Sequence, residues 1–149
     1  MALRDKVIEE AEKWLGYLEK ASNSRLESKT ANAGYNNYTI FAKWYKEWFG
    51  EDFQAQPWCA MFVSDMIYLG CSKKEIVPHF AYCPDGVNWF KRNGLWKTSN
   101  PQRGDIIFFR GSDGLACHVG LVSSVSSEKV VTIEGNTSSA AGVVANGGC

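Results

Sequence analysis

Cys59 lies directly behind Pro57 and Trp58 in the stretch QPWCAMFVSDMIYLG, which has the apolar spacing of a helix. Proline suits the first helical turn, and unpaired backbone N–H groups at a helix start favour a thiolate. Further along the chain, His118 heads the apolar stretch CHVGLV and Glu134 ends VVTIEGN. A thiol, a histidine and a carboxylate are the groups that a thiol hydrolase uses. These residues therefore indicate nucleophilic attack by Cys59 on an amide carbonyl.

The position of Cys59 also allows a second interpretation, an ordinary buried cysteine. A helix is predicted over about residues 57–69, and the residues on its apolar face are Cys59, Phe62, Val63, Met66 and Ile67. Two observations favour the chemical role. Cys59 lies in the first turn, where the helix end is open, and the sheet that this face must cover carries His118.

The spacing of the last two predicted strands places His118 opposite Glu134. This register follows if HVGLVSS and KVVTIEG pair around a turn centred on Ser126. Opposed residues in an antiparallel pair have Cβ atoms about 4.5–5.5 Å apart, so a ring N–H can reach a carboxylate. A bulge at the turn would shift the register by one residue and turn Glu134 away. Gly120 leaves space beside His118 for a ring or a substrate backbone, and Asn136 points to the same face.

Each of these residues has a defined task in the predicted chemistry. The Cys59 thiolate attacks, His118 holds the thiolate and then protonates the leaving amine, and Glu134 fixes the ring. Backbone N–H groups at the helix start, including that of Cys59, are candidates for the oxyanion hole. Asn136 either orients the imidazole or supplies a further donor. His79 lies among apolar and aromatic residues in VPHFAYC and is predicted to be structural.

The composition indicates one globular domain. The chain has 149 residues, of which 45% are hydrophobic, and this is enough to bury a sizeable core. Sixteen basic residues balance sixteen acidic ones, which argues against binding to nucleic acid or to an anionic membrane surface. No apolar span reaches the length of a membrane helix, and the N-terminus MALRDKVIEEAEKWL lacks an apolar export signal. We therefore expect synthesis in the cytoplasm without a signal peptide, and no membrane insertion.

The five cysteines do not follow the usual zinc spacings, because no C-x-x-C pair occurs. Cys71, His79 and Cys83 are conceivable ligands, but their spacing is irregular and a fourth ligand is missing. Free cysteines are often small buried apolar residues, and this interpretation accounts for Cys71, Cys83 and Cys117. No metal and no other cofactor are expected.

Hydrophobic spacing places helices in the first part of the chain and strands in the last. An apolar stripe from Leu3 to Leu18 predicts a first helix of about five turns. Residues 21–37 are expected to form a loop, YTIFAKWYKEWFG a helix ending at Gly50, and PDGVNWFKRNG a short helix closed by Gly94. DIIFFR, HVGLVSS and KVVTIEG are typical of antiparallel strands. This order predicts an α+β domain with N-terminal helices packed against a C-terminal antiparallel sheet.

Six blocks of the sequence, spread over residues 35–139, together resemble a known family. They are NNYTIFAKWY, PWCAMFVSDM, AYCPDGVNWF, PQRGDIIFF, HVGLV and VVTIEGNTS. The set is similar to the CHAP domain, the cysteine- and histidine-dependent amidohydrolase/peptidase of the NlpC-type papain-like superfamily, as found in phage and bacterial wall lysins. The resemblance implies a papain-like fold. It also implies that the nucleophile is Cys59, the base His118, the third polar residue Glu134 and the family's asparagine Asn136.

The resemblance implies a substrate as well. CHAP domains hydrolyse amide bonds of peptidoglycan, either between N-acetylmuramic acid and L-alanine or within the stem peptide or cross-bridge. Residues 1–149 are therefore expected to form a single catalytic domain of a bacteriolytic, endolysin-like enzyme that is encoded by a phage or prophage and acts at the bacterial cell wall. Two alternatives stay open. One is a papain-like thiol acyltransferase or protein peptidase, and the other is a non-catalytic wall-binding module in which Cys59 and His118 are packing residues.

The chain departs from the family pattern in two places. Some members bind calcium through an Asp-rich loop ahead of the nucleophile, but WFGEDFQAQPW offers only Glu51 and Asp52, so no metal is predicted. The family usually has a further strand after the GNT block, whereas this chain stops at VVANGGC. Residues 140–149 are therefore expected to be half of a hairpin in a truncated domain. The open sheet edge or a Cys149 disulfide would then allow two copies to pair.

Trp58 and Tyr82 are the predicted substrate-binding residues, because aromatic rings near a nucleophile can pack on a sugar or a peptide. In a chain that is 13% aromatic, such rings are more often core residues. Gln54 and Gln56 precede the nucleophile and could assist the oxyanion hole, although ordinary loop glutamines are the simpler interpretation.

Overall fold

The computed structural model describes residues 1–74 and 77–137, which form four α-helices followed by three β-strands. The elements are α1 (Leu3–Glu12), α2 (Ile40–Phe49), α3 (Cys59–Gly70), α4 (Cys83–Arg92), β1 (Ile106–Arg110), β2 (Ala116–Val125) and β3 (Val130–Ile133). The strands form an antiparallel sheet in the order β1-β2-β3. The predicted α+β class is confirmed. No helix in these two ranges is long and apolar enough to cross a membrane.

The first helix is shorter than predicted. α1 ends at Glu12, although the apolar stripe continues to Leu18. Gly16 has a φ of +86°, a conformation that side-chain-bearing residues rarely adopt, and the chain changes direction there. Trp14 and Tyr17 still pack against the core from outside the helix. The apolar pattern therefore continues beyond the end of the helix that it predicted.

The other helices begin and end at residues suited to those positions. The Thr39 side chain accepts a backbone hydrogen bond at the start of α2, and Gly50 closes that helix with a φ of +85°. Pro84 occupies the first turn of α4. α3 begins at Cys59, so Pro57 precedes the helix instead of lying in its first turn as predicted.

The central element is α3, which packs against α1, α2 and β2. An aromatic cluster fills the space between α2 and the start of α3. Phe41 stacks on Trp58 with ring centroids 5.4 Å apart and meets Phe62 edge-on at 4.9 Å. This buried packing fixes the start of α3, and hence Cys59, relative to β2.

The turn between β2 and β3 is centred later than predicted. It covers residues 126–129, where the N–H of Ser126 donates to the carbonyl of Lys129 over 2.9 Å. The Ser126 hydroxyl accepts hydrogen bonds from the N–H groups of Glu128 at 3.4 Å and Lys129 at 3.2 Å. A serine side chain that bonds to the following backbone in this way stabilises a turn that starts, and is not centred, at the serine.

The predicted register, with His118 directly opposite Glu134, is therefore wrong. A bulge just after Val122 adds a residue to β2, and Val122 pairs with Thr132. Continued along the strands, this register moves Glu134 by two residues, to a position beside Gly120. Because the shift is even, the side chains of His118 and Glu134 remain on the same face of the sheet.

The predictions for the C-terminal segment lie outside the described residues. They comprise the half hairpin at 140–149, the truncated edge, and the pairing of two copies through that edge or through Cys149.

Candidate active site

Cys59 is the first residue of α3 and only 5% of its surface is exposed. The residue before it, Trp58, makes no side-chain hydrogen bond to the helix start. The first backbone N–H groups of a helix have no acceptor within the helix and give this end a partial positive charge. The position therefore favours a thiolate at Cys59.

Cys83, the first residue of α4, lies beside Cys59. Their sulfur atoms are 3.9 Å apart, within hydrogen-bonding range for thiols, and both cysteines are free and buried. Ser64 of α3 holds the segment that leads into α4, because its hydroxyl donates to the Phe80 carbonyl and accepts from the Phe80 N–H, both at 2.9 Å. The N-termini of two helices thus meet at a pair of thiols.

His118 extends from β2, and its two ring nitrogens have different surroundings. Its Nε2 is 2.7 Å from the Glu134 Oε1, and the second oxygen of Glu134 accepts a hydrogen bond from the Thr132 hydroxyl. Its Nδ1 is buried and has no hydrogen-bond partner among the described residues, and the ring also interacts with Cys59. The Phe109 ring of β1 lies 5.5 Å from the imidazole, centroid to centroid. The ring is thus fixed by Glu134 on one side.

Interactions among these groups favour their charged forms. The hydrogen bond from the Cys83 thiol is the largest of the effects that lower the pKa of Cys59 to about 5; burial opposes the shift, and His118 supports it. Burial lowers the pKa of His118, but its interactions with Cys59 and Glu134 outweigh burial and raise that pKa to about 9. The bond to His118 lowers the pKa of Glu134. Between pH 5 and pH 9 the site therefore holds a thiolate, an imidazolium and a carboxylate.

Cys83 shows the opposite shift from Cys59. Its hydrogen bond with Cys59, together with burial, raises the pKa of the Cys83 thiol far above its ordinary value, so Cys83 keeps its proton and acts as the donor. The sequence interpretation of Cys83 as a simple core residue missed this contact. One signal was available: Cys83 stands next to Pro84 at the start of a predicted helix, much as Cys59 follows Pro57.

Gly120 leaves space that Glu134 fills. A Cβ atom at Gly120 would lie 2.5 Å from the Cγ of Glu134, far inside van der Waals contact. The space was predicted to receive a ring or a substrate backbone, and that prediction is wrong. Instead, the missing side chain at position 120 allows Glu134 to cross the strand and reach His118.

Asn136 is buried and lies two residues after Glu134 in the chain. The Nε2 of His118 bonds to Glu134 and not to Asn136. Its backbone has a φ of +54°, a left-handed conformation that asparagine tolerates better than most residues. Its Nδ2 is buried and has no hydrogen-bond partner in the described part of the chain. A role of Asn136 in orienting the ring or supplying a donor stays a prediction.

The two predicted substrate-binding residues have different environments. Trp58 is 6% exposed and stacks on Phe41, so the structure favours the alternative that Trp58 is a core residue. Tyr82 is 58% exposed and immediately precedes Cys83. Its contact with substrate stays a prediction.

Two other polar residues weighed from the sequence have structural partners. The amide of Gln54 pairs with the backbone of Thr39, accepting from its N–H at 2.9 Å and donating to its carbonyl at 3.0 Å. Gln54 therefore fastens the loop before α3 to the start of α2. His79 stacks on Phe49 with ring centroids 4.3 Å apart, as expected of a structural histidine.

A cavity of about 720 Å³ adjoins the site on the side of Glu134 and Asn136. Tyr35 and Trp58 also line it, but Cys59 and His118 do not. Because the reacting atoms lie elsewhere, this cavity does not mark the place where the scissile bond would bind.

The segment ahead of Cys59 does not fit a calcium loop. Asp52 is paired with Lys46 at 3.1 Å and accepts a hydrogen bond from the N–H of Gln54, while Glu51 is exposed. Across residues 1–74 and 77–137, no group of three or more His, Cys, Asp or Glu side chains is placed to hold a metal ion.

Comparison with known proteins assigns the chain to a family. Comparisons with curated proteins and with solved structures found no match. The family model of the CHAP domain, however, matches residues 51–136, which are more than half of the chain. That range includes both thiols, the histidine, the carboxylate and the asparagine of the site. CHAP domains are generally cysteine- and histidine-dependent hydrolases of the peptidoglycan amidase and peptidase type. This chain belongs to the CHAP domain family.

Proposed function

We propose that this protein hydrolyses an amide bond of bacterial peptidoglycan with Cys59 as the nucleophile. The observation that carries the proposal is the connected set of Cys59, His118 and Glu134, in which a thiolate faces an imidazolium that a carboxylate holds in place. Membership of the CHAP family supports peptidoglycan as the substrate.

The proposed reaction begins when the Cys59 thiolate attacks the carbonyl carbon. A C–S bond forms and the carbonyl oxygen becomes an anion, for which the first N–H groups of α3 are the proposed donors. His118 then gives its proton to the leaving nitrogen, and the C–N bond breaks to leave a thioester. Neutral His118 next takes a proton from water, which hydrolyses the thioester and restores the thiolate and the imidazolium.

Two other residues support this cycle without taking part in bond exchange. Glu134, itself bonded to Thr132, orients the ring of His118 and stabilises its positive charge. Cys83 stabilises the thiolate by donating its S–H. Asn136 is proposed as a further orienting residue, since it occupies the family's asparagine position.

The bond within peptidoglycan is either the one between N-acetylmuramic acid and L-alanine or one in the stem peptide or cross-bridge. Both present an amide carbonyl to a thiolate. We also propose that the enzyme is bacteriolytic, acts at the cell wall and is encoded by a phage or prophage. The resemblance of its six sequence blocks to phage and bacterial wall lysins supports this proposal.

The test measures the turbidity of purified cell walls and identifies the released muropeptides by mass spectrometry. Lysis by the wild type, none by Cys59→Ala and full lysis by Cys71→Ala would support the proposal; the muropeptide masses would name the bond. Binding without lysis would select the wall-binding module, and activity only on proteins or acyl donors would select the rival enzyme. EDTA is expected to leave the rate unchanged; a loss restored by calcium would contradict the proposed metal-free mechanism.

A further inference from the structure

We propose that Cys59 and Cys83 are a reversible oxidation site, at which a peroxide joins the two sulfur atoms in a disulfide and blocks the nucleophile. The proposal deepens the proposed function, because it assigns a regulation to the same site. Cys83 donates to the Cys59 thiolate, but it takes no part in bond exchange during hydrolysis, because a thiolate, a histidine and a carboxylate complete the hydrolytic set.

The geometry brings the two sulfur atoms together without an intervening group. They are 3.9 Å apart, and a disulfide bond is about 2.05 Å long, so closing the bond requires an approach of about 2 Å. Both cysteines are the first residues of their helices, where rotation of the side chains can supply this movement. Cys71, the other free cysteine identified in the described part of the chain, is at the far end of the 12-residue helix α3, about 18 Å from Cys59 along the axis.

The oxidation requires one thiolate to attack the peroxide and a second cysteine beside it. Cys59 is the thiolate of the pair and Cys83 is the thiol. The Cys59 thiolate attacks one peroxide oxygen: an S–O bond forms, the O–O bond breaks, and the released hydroxide takes the proton of the His118 imidazolium to become water. Cys59 is then a sulfenic acid. The Cys83 sulfur attacks the sulfur of Cys59, an S–S bond forms, the S–O bond breaks, and the Cys83 proton leaves with the hydroxide as a second water. Two thiols are oxidised and one hydrogen peroxide is reduced.

The disulfide has two effects on the site. It removes the nucleophile, because the thiolate is the attacking form and a sulfur bonded in a disulfide carries no negative charge. It also protects Cys59 from irreversible oxidation to sulfinic acid, since Cys83 consumes the sulfenic acid first. A small thiol reductant then restores both cysteines by thiol–disulfide exchange.

The test treats the full chain with about three equivalents of hydrogen peroxide at neutral pH, enough to carry an unprotected thiolate past sulfenic acid to sulfinic acid. Its peptides are then mapped by mass spectrometry without reduction. We expect linked peptides that contain Cys59 and Cys83, a drop of at least tenfold in wall lysis and in labelling of Cys59 by iodoacetamide, and recovery of both with dithiothreitol. Cys71→Ala should behave as the wild type does. In Cys83→Ala, Cys59 should proceed to sulfinic acid and its labelling should not recover.

The possible failures are distinguishable. If wild-type Cys59 is oxidised to sulfinic acid without forming linked peptides, or if lysis is unaffected by the disulfide, the oxidation proposal is wrong. If linked peptides form and reverse but the reduced protein does not lyse walls, the proposed function fails while the oxidation site stands. The mapping of the wild type does not depend on any variant, so a Cys83→Ala protein that does not fold leaves the test decisive.

Discussion

Cys59 and Cys71 stand at opposite ends of α3 and differ in their thiol chemistry. Cys59 begins the helix, and its hydrogen bond from Cys83, supported by His118, lowers its pKa to about 5. Cys71 caps the other end, where burial raises the pKa of its thiol. The same residue type on the same helix is therefore a thiolate at one end and a thiol at the other.

The difference shows that a helix start alone does not make a nucleophile. The partial charges of α3 favour a thiolate at Cys59 and disfavour one at Cys71, but such effects amount to about 1 kcal/mol at most sites. The largest contribution at Cys59 comes from the thiol of Cys83, which a second helix places beside it. The junction of two helix starts, and not the first one by itself, creates the reactive position.

The largest expected effect comes from replacing Cys59 with alanine, and the same replacement of Cys71 is its control. Cys59→Ala should reduce wall lysis by at least about 10³-fold, the usual loss when a catalytic nucleophile is removed. Cys71→Ala should stay within about twofold of the wild type, because Cys71 lies at the other end of α3, about 18 Å from Cys59 along the axis. Turbidity assays with purified walls measure both rates. Equal losses in the two variants would contradict the difference in thiol chemistry between Cys59 and Cys71.

The reactivity of the two thiols can also be compared directly. At pH 7, iodoacetamide should label Cys59 at least about 100-fold faster than Cys71, since only the thiolate reacts and each pKa unit changes its fraction about tenfold. The rate at Cys59 should reach half its plateau near pH 5. Peptide mass spectrometry after timed labelling gives both rates, and His118→Ala should move the midpoint for Cys59 to higher pH.

Glu134→Gln tests how far the imidazolium depends on its carboxylate. Hydrolysis by the wild type should be constant between about pH 5 and pH 9, falling below as Cys59 gains a proton and above as His118 loses one. Glu134→Gln removes an interaction that raises the pKa of His118, so the alkaline limb should move to lower pH. The rate at pH 7 should fall roughly tenfold, less than in His118→Ala. An unchanged alkaline limb would mean that Glu134 does not act through the ring.

The smallest expected effect concerns Asp65, between the two ends of α3. Its side chain is buried with neither oxygen hydrogen-bonded among the described residues, and burial raises its pKa well above the ordinary value of 3.8. A raised folded pKa stabilises the protein fully only below the unfolded pKa, and this contribution is lost as pH rises through the folded pKa. Asp65→Asn should therefore add about 1 kcal/mol to the free energy of unfolding at pH 8, and little at pH 4.

Urea unfolding of the wild type and Asp65→Asn at the two pH values measures this difference. The labelling rate of Cys59 should be the same in both proteins, because Asp65 acts on stability and not on the thiol. A variant that is no more stable than the wild type at pH 8 would contradict the conclusion that the buried Asp65 carboxylate destabilises the folded protein.

The sequence predicted the parts of the site that depend on residue type and periodicity. Cys59 at a helix start and the α+β order follow from local patterns that the fold preserves. The register between β2 and β3 does not follow from such patterns, because the centre of its turn depends on hydrogen bonds that the Ser126 hydroxyl makes. Cys83 was missed for a different reason. Its place beside Cys59 depends on the Ser64 bonds to the backbone of Phe80, a contact between distant segments that no periodicity encodes.

Gly120 has a consequence for anyone who mutates this protein or copies its site. In a saturation library selected for wall lysis, position 120 should be as intolerant as position 134, although it contributes no reactive atom. Even alanine would collide with the Cγ of Glu134 and detach the carboxylate from the imidazole. A transplant of this site into another scaffold must therefore specify one empty position on the central strand as strictly as it specifies the thiol, the histidine and the carboxylate.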